Sequence, residues 1–172
     1  MQQSGGHIEL TSAPDRGAEF KIYLPRIVDR ALSPKSHSNV AFMPKGGETI
    51  LVVEDEEHVR ELTRRVLESC GYVVLEAGHG RDALDLAVKH EAPIHLLISD
   101  VVMPHGMDGW QVADALLPQH PEMKVLYVSG FANNSTPPSG SPLDGESYAF
   151  LQKPYTQAAL PQKVRDVLDG IV

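Results

Sequence analysis

The sequence predicts a doubly wound α/β fold, and three observations lead there. Five short apolar runs, 49–53, 72–76, 95–99, 124–128 and 148–151, are rich in Val, Ile, Leu and Tyr and show little alternation. Such runs suit strands buried on both faces of a parallel sheet. Stretches with apolar residues at helical spacing stand between and after them, and repeated strand–helix units define this fold class. Four of the runs close on polar residues: Glu54-Asp55 after TILVV, Asp100 after IHLLIS, Ser129 after KVLYV and Lys153 after AFLQ. In a parallel sheet the strand ends on one edge open into a shared crevice where ligands bind.

The elements follow in chain order. Residues 4–25 read SGGHIELTSAPDRGAEFKIYLP, in which Phe20, Ile22 and Leu24 alternate with Lys21 and Tyr23 and the run Pro14-Asp15-Arg16-Gly17 marks a turn. Two short strands are expected, a β arm too small to bury enough surface to fold alone. After Arg26 the composition shifts to Ser, Pro, Gly, Lys and His without periodicity, and 28–47 reads as a linker. Beyond it, Val59, Leu62, Val66, Leu67 and Cys70 form a first helical stripe, stopped by Gly71. Ala83, Leu84, Ala87 and Val88 form a second. Trp110, Ala113, Leu116 and Leu117 form a third, halted by Pro118 and Pro121. Leu160, Val164, Val167, Leu168 and Ile171 form the last. Pro161 belongs in a helix's first turn, so that helix is expected to begin near Leu160. The segment Gly130–Gly145, GFANNSTPPSGSPLDG, stands where a helix is due, but its three prolines oppose one, and a loop is expected.

Composition excludes several classes. A net charge of −8 with no basic patch argues against nucleic acid as a partner, because phosphate contacts need clustered Lys and Arg. No apolar run approaches a membrane span. The single cysteine, Cys70, excludes an internal disulfide and falls on a helix stripe, which fits a packed thiol, a reducing compartment and a cytoplasmic location.

Each strand-end residue has a plain reading. The run EDEE from Glu54 to Glu57 could be a solvated helix start, where acids favour the helix dipole. Ser129 before Gly130 could end a strand, and Lys153 could be an edge lysine. His58, His79, His90 and His120 are expected to face solvent, and His105 is given no role. The plain reading weakens once Asp100 joins Glu54 and Asp55 at neighbouring strand ends, because like charges oppose ionisation unless a cation lies between them. Mg²⁺ takes few protein carboxylates and often bridges to phosphate, which suits two or three acids better than a Ca²⁺ cage would. One carboxylate can then act as a nucleophile, and a hydroxyl and an ammonium can hold phosphoryl oxygens. A Gly-rich dinucleotide loop is missing after the first of these strands.

The strings LVVEDEEHVREL, LLISDVVMPHGMDG, KVLYVSG and AFLQKPY, in this order and spacing, resemble the receiver domain of two-component response regulators over 48–172. The resemblance implies a flavodoxin-like, five-stranded parallel sheet. It implies transfer of a phosphoryl group from a phosphohistidine, on a histidine kinase or histidine phosphotransfer protein, to Asp100 with Mg²⁺. By the same resemblance Asp55 binds Mg²⁺ directly and Glu54 through water, and the carbonyl of Val102 completes the ligands. Ser129 and Lys153 hold the phosphoryl oxygens, Phe150 is the aromatic switch residue, and Lys153-Pro154 is a cis peptide bond. Residues 1–27, with Gly17, Phe20, Ile22, Leu24 and Pro25, resemble the last strands of a histidine kinase ATP-binding domain. The order is that of the C-terminal part of a hybrid histidine kinase, without the parts a kinase needs to bind ATP and phosphorylate itself.

Two departures stand out: the fourth helix of the family is degraded or missing at 130–145, and the loop MPHGMDG is one residue longer than the commonest form. The rival readings are a Mg²⁺-dependent phosphohydrolase with an aspartyl nucleophile and a pseudo-receiver that binds a partner without phosphorylation. The first usually wants a second acid two residues after the nucleophile, where this chain has Val102. The second finds all the site residues present, though the degraded helix favours it.

Overall fold

Strict alternation organises the first strands. In the computed structural model, which describes residues 6–14, 17–25, 45–104, 106–130 and 148–171, β1 (His7–Ala13) pairs antiparallel with β2 (Gly17–Tyr23). The register sets Ile8 opposite Ile22 and Leu10 opposite Phe20, so one face is apolar, while His7, Glu9, Lys21 and Tyr23 share the other. Every residue of both strands is exposed. The chain divides into two compact units, Met1–Asn39 and Val40–Val172.

The second unit is built on β3 (Thr49–Val53), all five residues of which are buried. Helix α1 (Glu57–Ser69) leads to β4 (Val73–Ala77), and α2 (Gly80–Lys89) to β5 (Leu96–Asp100). Then come α3 (Gly109–Leu116), β6 (Lys124–Ser129), β7 (Ala149–Gln152) and α4 (Ala159–Asp169). The sheet order is β4-β3-β5-β6-β7 and every pairing is parallel, the five-stranded doubly wound sheet the sequence predicts. Alternate side chains of β3 feed opposite layers. Ile50 and Val52 pack with Leu67, Leu160 and Val164 of α1 and α4. Leu51 and Val53 pack with Ala83, Trp110 and Val112 of α2 and α3.

Burial on both faces holds for β3 and β5 but not for the outermost strands. Val73 of β4 is 50% exposed, because an edge strand has a neighbour on one side only. The run at 72–76 begins one residue late, since the Tyr72 amide donates to Leu67 O at the end of α1. Helix-stripe residues Val88 and Ile171 are exposed, and Leu62 is half exposed. Leu62 instead lines, with Val59, Val66, Tyr155 and Leu160, an apolar groove of about 270 Å³ beside α1. His58 and His79 face solvent as expected, whereas His90 and His120 are half-buried. Helix α4 begins at Ala159 and carries Pro161 in its first turn, where the missing N–H leaves no intrahelical bond unmade. The loop expected at 130–145, from its second residue on, lies outside the described residues, as does His105. No helix among the described residues is long and apolar enough to cross a membrane.

Candidate phosphoacceptor and metal site

The chain leaves β3 for β4 on one side and reaches β5 on the other, so the strand order reverses between β3 and β5. At such a switch point the connections diverge and open a crevice beyond the C-terminal strand ends. Glu54 and Asp55 follow β3, and Asp100 ends β5. One carboxylate oxygen from each of the three lies within 4.8 Å of the others.

Lys153, just past β7, reaches across the sheet into this cluster. Its ammonium donates to Glu54 Oε2 at 2.7 Å and to Asp100 Oδ2 at 2.8 Å. Burial opposes the lysine's charge, but these two bonds hold it protonated, with its pKa above the ordinary lysine value. Burial pushes the Glu54 carboxyl up, and the charges of Asp100 and Asp55 add to this against the pull of Lys153. Three carboxylates and one ammonium leave an excess of negative charge in a partly enclosed site.

Local structure fixes each group. The Val102 amide donates to Asp100 Oδ1 at 3.1 Å, which orients the carboxylate. Helix α3 packs its first residue against the end of β5: a Cβ on Gly109 would stand 2.3 Å from Asp100 O, so only glycine lets the helix approach this closely. Asp108 caps that helix by accepting the Gln111 amide at 2.8 Å, while its own amide donates to Gln111 Oε1 at 3.0 Å. Ser129 ends β6 beside β5, is 2% exposed, and its carbonyl accepts the Lys153 amide at 2.8 Å. The Lys153-Pro154 bond is cis. Val102 is 52% exposed. Phe150 is half-buried against Tyr127, Tyr148 and Trp110, with ring centroids 5.6, 5.9 and 6.0 Å away.

The structure therefore brings Glu54, Asp55, Asp100 and Lys153 into one cluster, with Ser129 on the adjacent strand end and Phe150 in the aromatic layer below. Gly109 and Arg60 escape sequence reasoning. Arg60 sits in α1 and donates to the carbonyl of Glu54 at 2.7 Å, yet in the string EEHVREL it reads as one more charged helix residue.

The family model described as the response regulator receiver domain matches residues 50–165. The chain belongs to the response regulator receiver family. It is 32% identical to the response regulator receiver protein CpdR of Brucella abortus (strain 2308), over 69% of this chain and 95% of that protein. It is 34% identical to the sensor kinase CckA of the same organism over 98% of this chain, but spans only 18% of that protein's length. A solved CheY-like receiver domain protein from Methanospirillum hungatei JF-1 is 26% identical, with a TM-score of 0.61 over 73% of this chain and 96% of that one. The chemotaxis response regulator CheY4 of Vibrio cholerae gives 25% and 0.60, over 71% and 99%. This is a receiver domain of two-component signalling. Neither the phosphohydrolase nor the pseudo-receiver reading is favoured. Receiver domains interact with histidine kinases or phosphotransfer proteins and bind Mg²⁺ at an acidic pocket, and Glu54, Asp55 and Asp100 form such a pocket.

Proposed function

We propose that Asp100 accepts a phosphoryl group from a phosphohistidine, so that the chain acts as a step in a phosphorelay. The P–N bond to the imidazole breaks, a P–O bond to the Asp100 carboxylate forms, and the imidazole nitrogen keeps the electron pair. The observation that carries this is the convergence of Glu54, Asp55, Asp100 and Lys153 at the switch point. Phosphoryl transfer asks for positioning and charge neutralisation more than for covalent chemistry.

The placement of these groups supports the following roles. Oxygen donors alone, clustered in negative excess, fit a hard cation. Asp55 and Asp100 would hold Mg²⁺ directly, with Glu54 acting through water and the Val102 carbonyl completing the protein ligands. Bound there, Mg²⁺ supplies positive charge against the phosphoryl oxygens. Lys153 already bridges Glu54 and Asp100, so its ammonium can shift onto a phosphoryl oxygen without leaving the cluster. The Ser129 hydroxyl holds a second oxygen. Drawing Ser129 inward frees space next to β7, and Phe150 responds as the switch residue within the aromatic layer.

The phosphohistidine comes from a histidine kinase or a histidine phosphotransfer protein. Residues 1–27 act as the closing strands of a histidine kinase ATP-binding domain, 28–47 as a linker and 48–172 as the receiver. The likeness to a sensor kinase over 98% of the chain supports this order. A cytoplasmic setting is supported by the buried free thiol of Cys70.

Incubation with a small phosphodonor, phosphoramidate, followed by intact mass measurement tests the proposal. Wild type gains one phosphoryl mass with Mg²⁺ and none without it. A stable phosphate on Asp100→Asn overturns the assignment.

A further inference from the structure

We infer that Arg60 is a positioning residue for the acidic cluster: its guanidinium pins the Glu54–Asp55 backbone and thereby sets the affinity of the cluster for Mg²⁺. The inference rests on the reading above that Glu54, Asp55 and Asp100 hold this cation.

Arg60 lies one turn into α1 and is half-buried. Its Nη1 donates to Glu54 O at 2.7 Å and reaches Asp55 O at 3.5 Å, so the first contact is a strong hydrogen bond and the second a weak one. The same residue is also held through its preceding peptide, because the Glu54 amide donates to Ala77 O at 3.2 Å. Beyond Ala77, a Cβ on Gly78 would stand 3.4 Å from Arg60 Nη1, so the loop after β4 leaves the guanidinium room to lie against it. Arg60 thus ties its own helix to the end of β3, where two of the acids are carried, and lies beside the loop after β4.

The cluster needs such a brace. Glu54 and Asp55 stand just past the last residue of β3, the Glu54 amide makes the last bond to β4, and their carboxylates repel each other and Asp100. Left loose, the two residues would turn outward and part the oxygens that now lie within 4.8 Å. Partners that orient ligand residues without touching the ion are worth about ten- to a hundredfold in metal affinity. The bond to a carbonyl uses the donor capacity of the guanidinium rather than its charge, and this gives the inference a distinctive sign. A cation acting on the site through its charge alone repels Mg²⁺, and its removal tightens binding. A cation acting as a brace weakens binding when it is removed.

Isothermal titration with Mg²⁺ on the full chain tests this, with thermal melting of each variant in the absence of metal. Arg60→Met and Arg60→Ala both remove the donors. The expected result is a Kd at least about tenfold weaker than wild type. Arg60→Lys, which keeps the charge and one set of donors on a shorter head, falls between. Arg64→Ala on the same helix, whose guanidinium pairs with Glu68 and Glu76 instead, leaves the Kd unchanged. A purely structural role would lower the melting temperature and leave the Kd of the folded protein alone. In whichever of the two donor-free variants folds, a Kd equal to or tighter than wild type overturns the role of Arg60 while leaving the metal cluster standing. A wild type that does not bind Mg²⁺, or an Asp55→Ala variant that binds it as well as wild type, overturns the cluster itself and the inference with it.

Discussion

Glu48 and Glu54 flank the same strand, and their acidities shift in opposite directions. At the N-terminal end of the sheet, burial alone would raise the Glu48 pKa, but the Arg165 guanidinium donates to it at 2.8 Å and holds it below the ordinary value. Arg165 also pairs with Asp169 at 2.8 Å, and Lys124 donates to the last carbonyls of α4, Val167 O at 2.9 Å and Leu168 O at 3.0 Å. Glu48, Arg165, Asp169 and Lys124 thus each meet an opposite charge or a helix C-terminus, which favours cations. At the C-terminal end three carboxylates crowd one ammonium, and Glu54 is pushed up. The same sheet thus carries a closed electrostatic structure at one end and an open one at the other. The closed end stabilises the fold, and the open end is completed by what it binds.

Exchanging the two ends in experiment should separate stability from function. The largest effect belongs to Asp100→Asn, which removes the acceptor and abolishes phosphorylation. Arg165→Met leaves phosphorylation intact and instead destabilises the fold by about 2 kcal/mol in chemical denaturation, because a partly buried Glu48 loses its partner. That contribution has a pH signature. The folded pKa of Glu48 is depressed, so the stabilisation is present above the ordinary glutamate value of 4.5 and is lost as pH falls through the folded value. A wild-type advantage over Arg165→Met that grows on acidification contradicts this.

The open end governs lifetime as well as capture. Hydrolysis of an acyl phosphate needs a water held in line. By sequence position, two residues beyond Asp100 and two beyond Ser129, the residues expected to meet it are Val102, half exposed, and Phe131, which lies outside the described residues. Neither side chain can hydrogen-bond a water, so the phosphorylated state is expected to be slow to decay. A Val102→Asn, Phe131→Glu double variant should lose its phosphoryl group about tenfold faster, a difference of about 1.4 kcal/mol in barrier. Equal decay of wild type and variant removes the basis for a long-lived state. The smallest effect concerns Glu54. Its folded pKa is raised, so in metal-free protein its ionisation is a penalty, fully present above the raised value and relieved as pH falls toward 4.5. Glu54→Gln should therefore be slightly more stable than wild type at neutral pH without metal, by less than about 1 kcal/mol in chemical denaturation, with the gap closing on acidification. A gap that widens as pH falls contradicts an open end.

Much of the open end was legible in the sequence, and much of the closed end was not. Buried parallel strands read as unbroken apolar runs, so the polar residue that ends each run stands out, which is how Glu54, Asp55, Asp100, Ser129 and Lys153 come to notice. Glu48 and Arg165 are 117 residues apart and obey no local pattern. Arg60 looks like any solvated helix residue because its partner is a backbone carbonyl, which has no sequence signature. Gly109 reads as a turn glycine until the approach of α3 to Asp100 is seen. Apolar content does not by itself signal two-sided burial at a sheet edge, since Val73 is as apolar as Val53 but its strand has a neighbour on one side only.

The most direct measurement traps the phosphoryl group where it lands. Protein incubated with phosphoramidate and Mg²⁺ is reduced with borohydride, which converts an aspartyl phosphate to homoserine, and the peptides are then mapped by mass. The expected result is homoserine at position 100 alone, dependent on Mg²⁺. Homoserine at Asp55, or an unmodified Asp100 in protein that has gained phosphoryl mass, would contradict the placement of the acceptor at the end of β5.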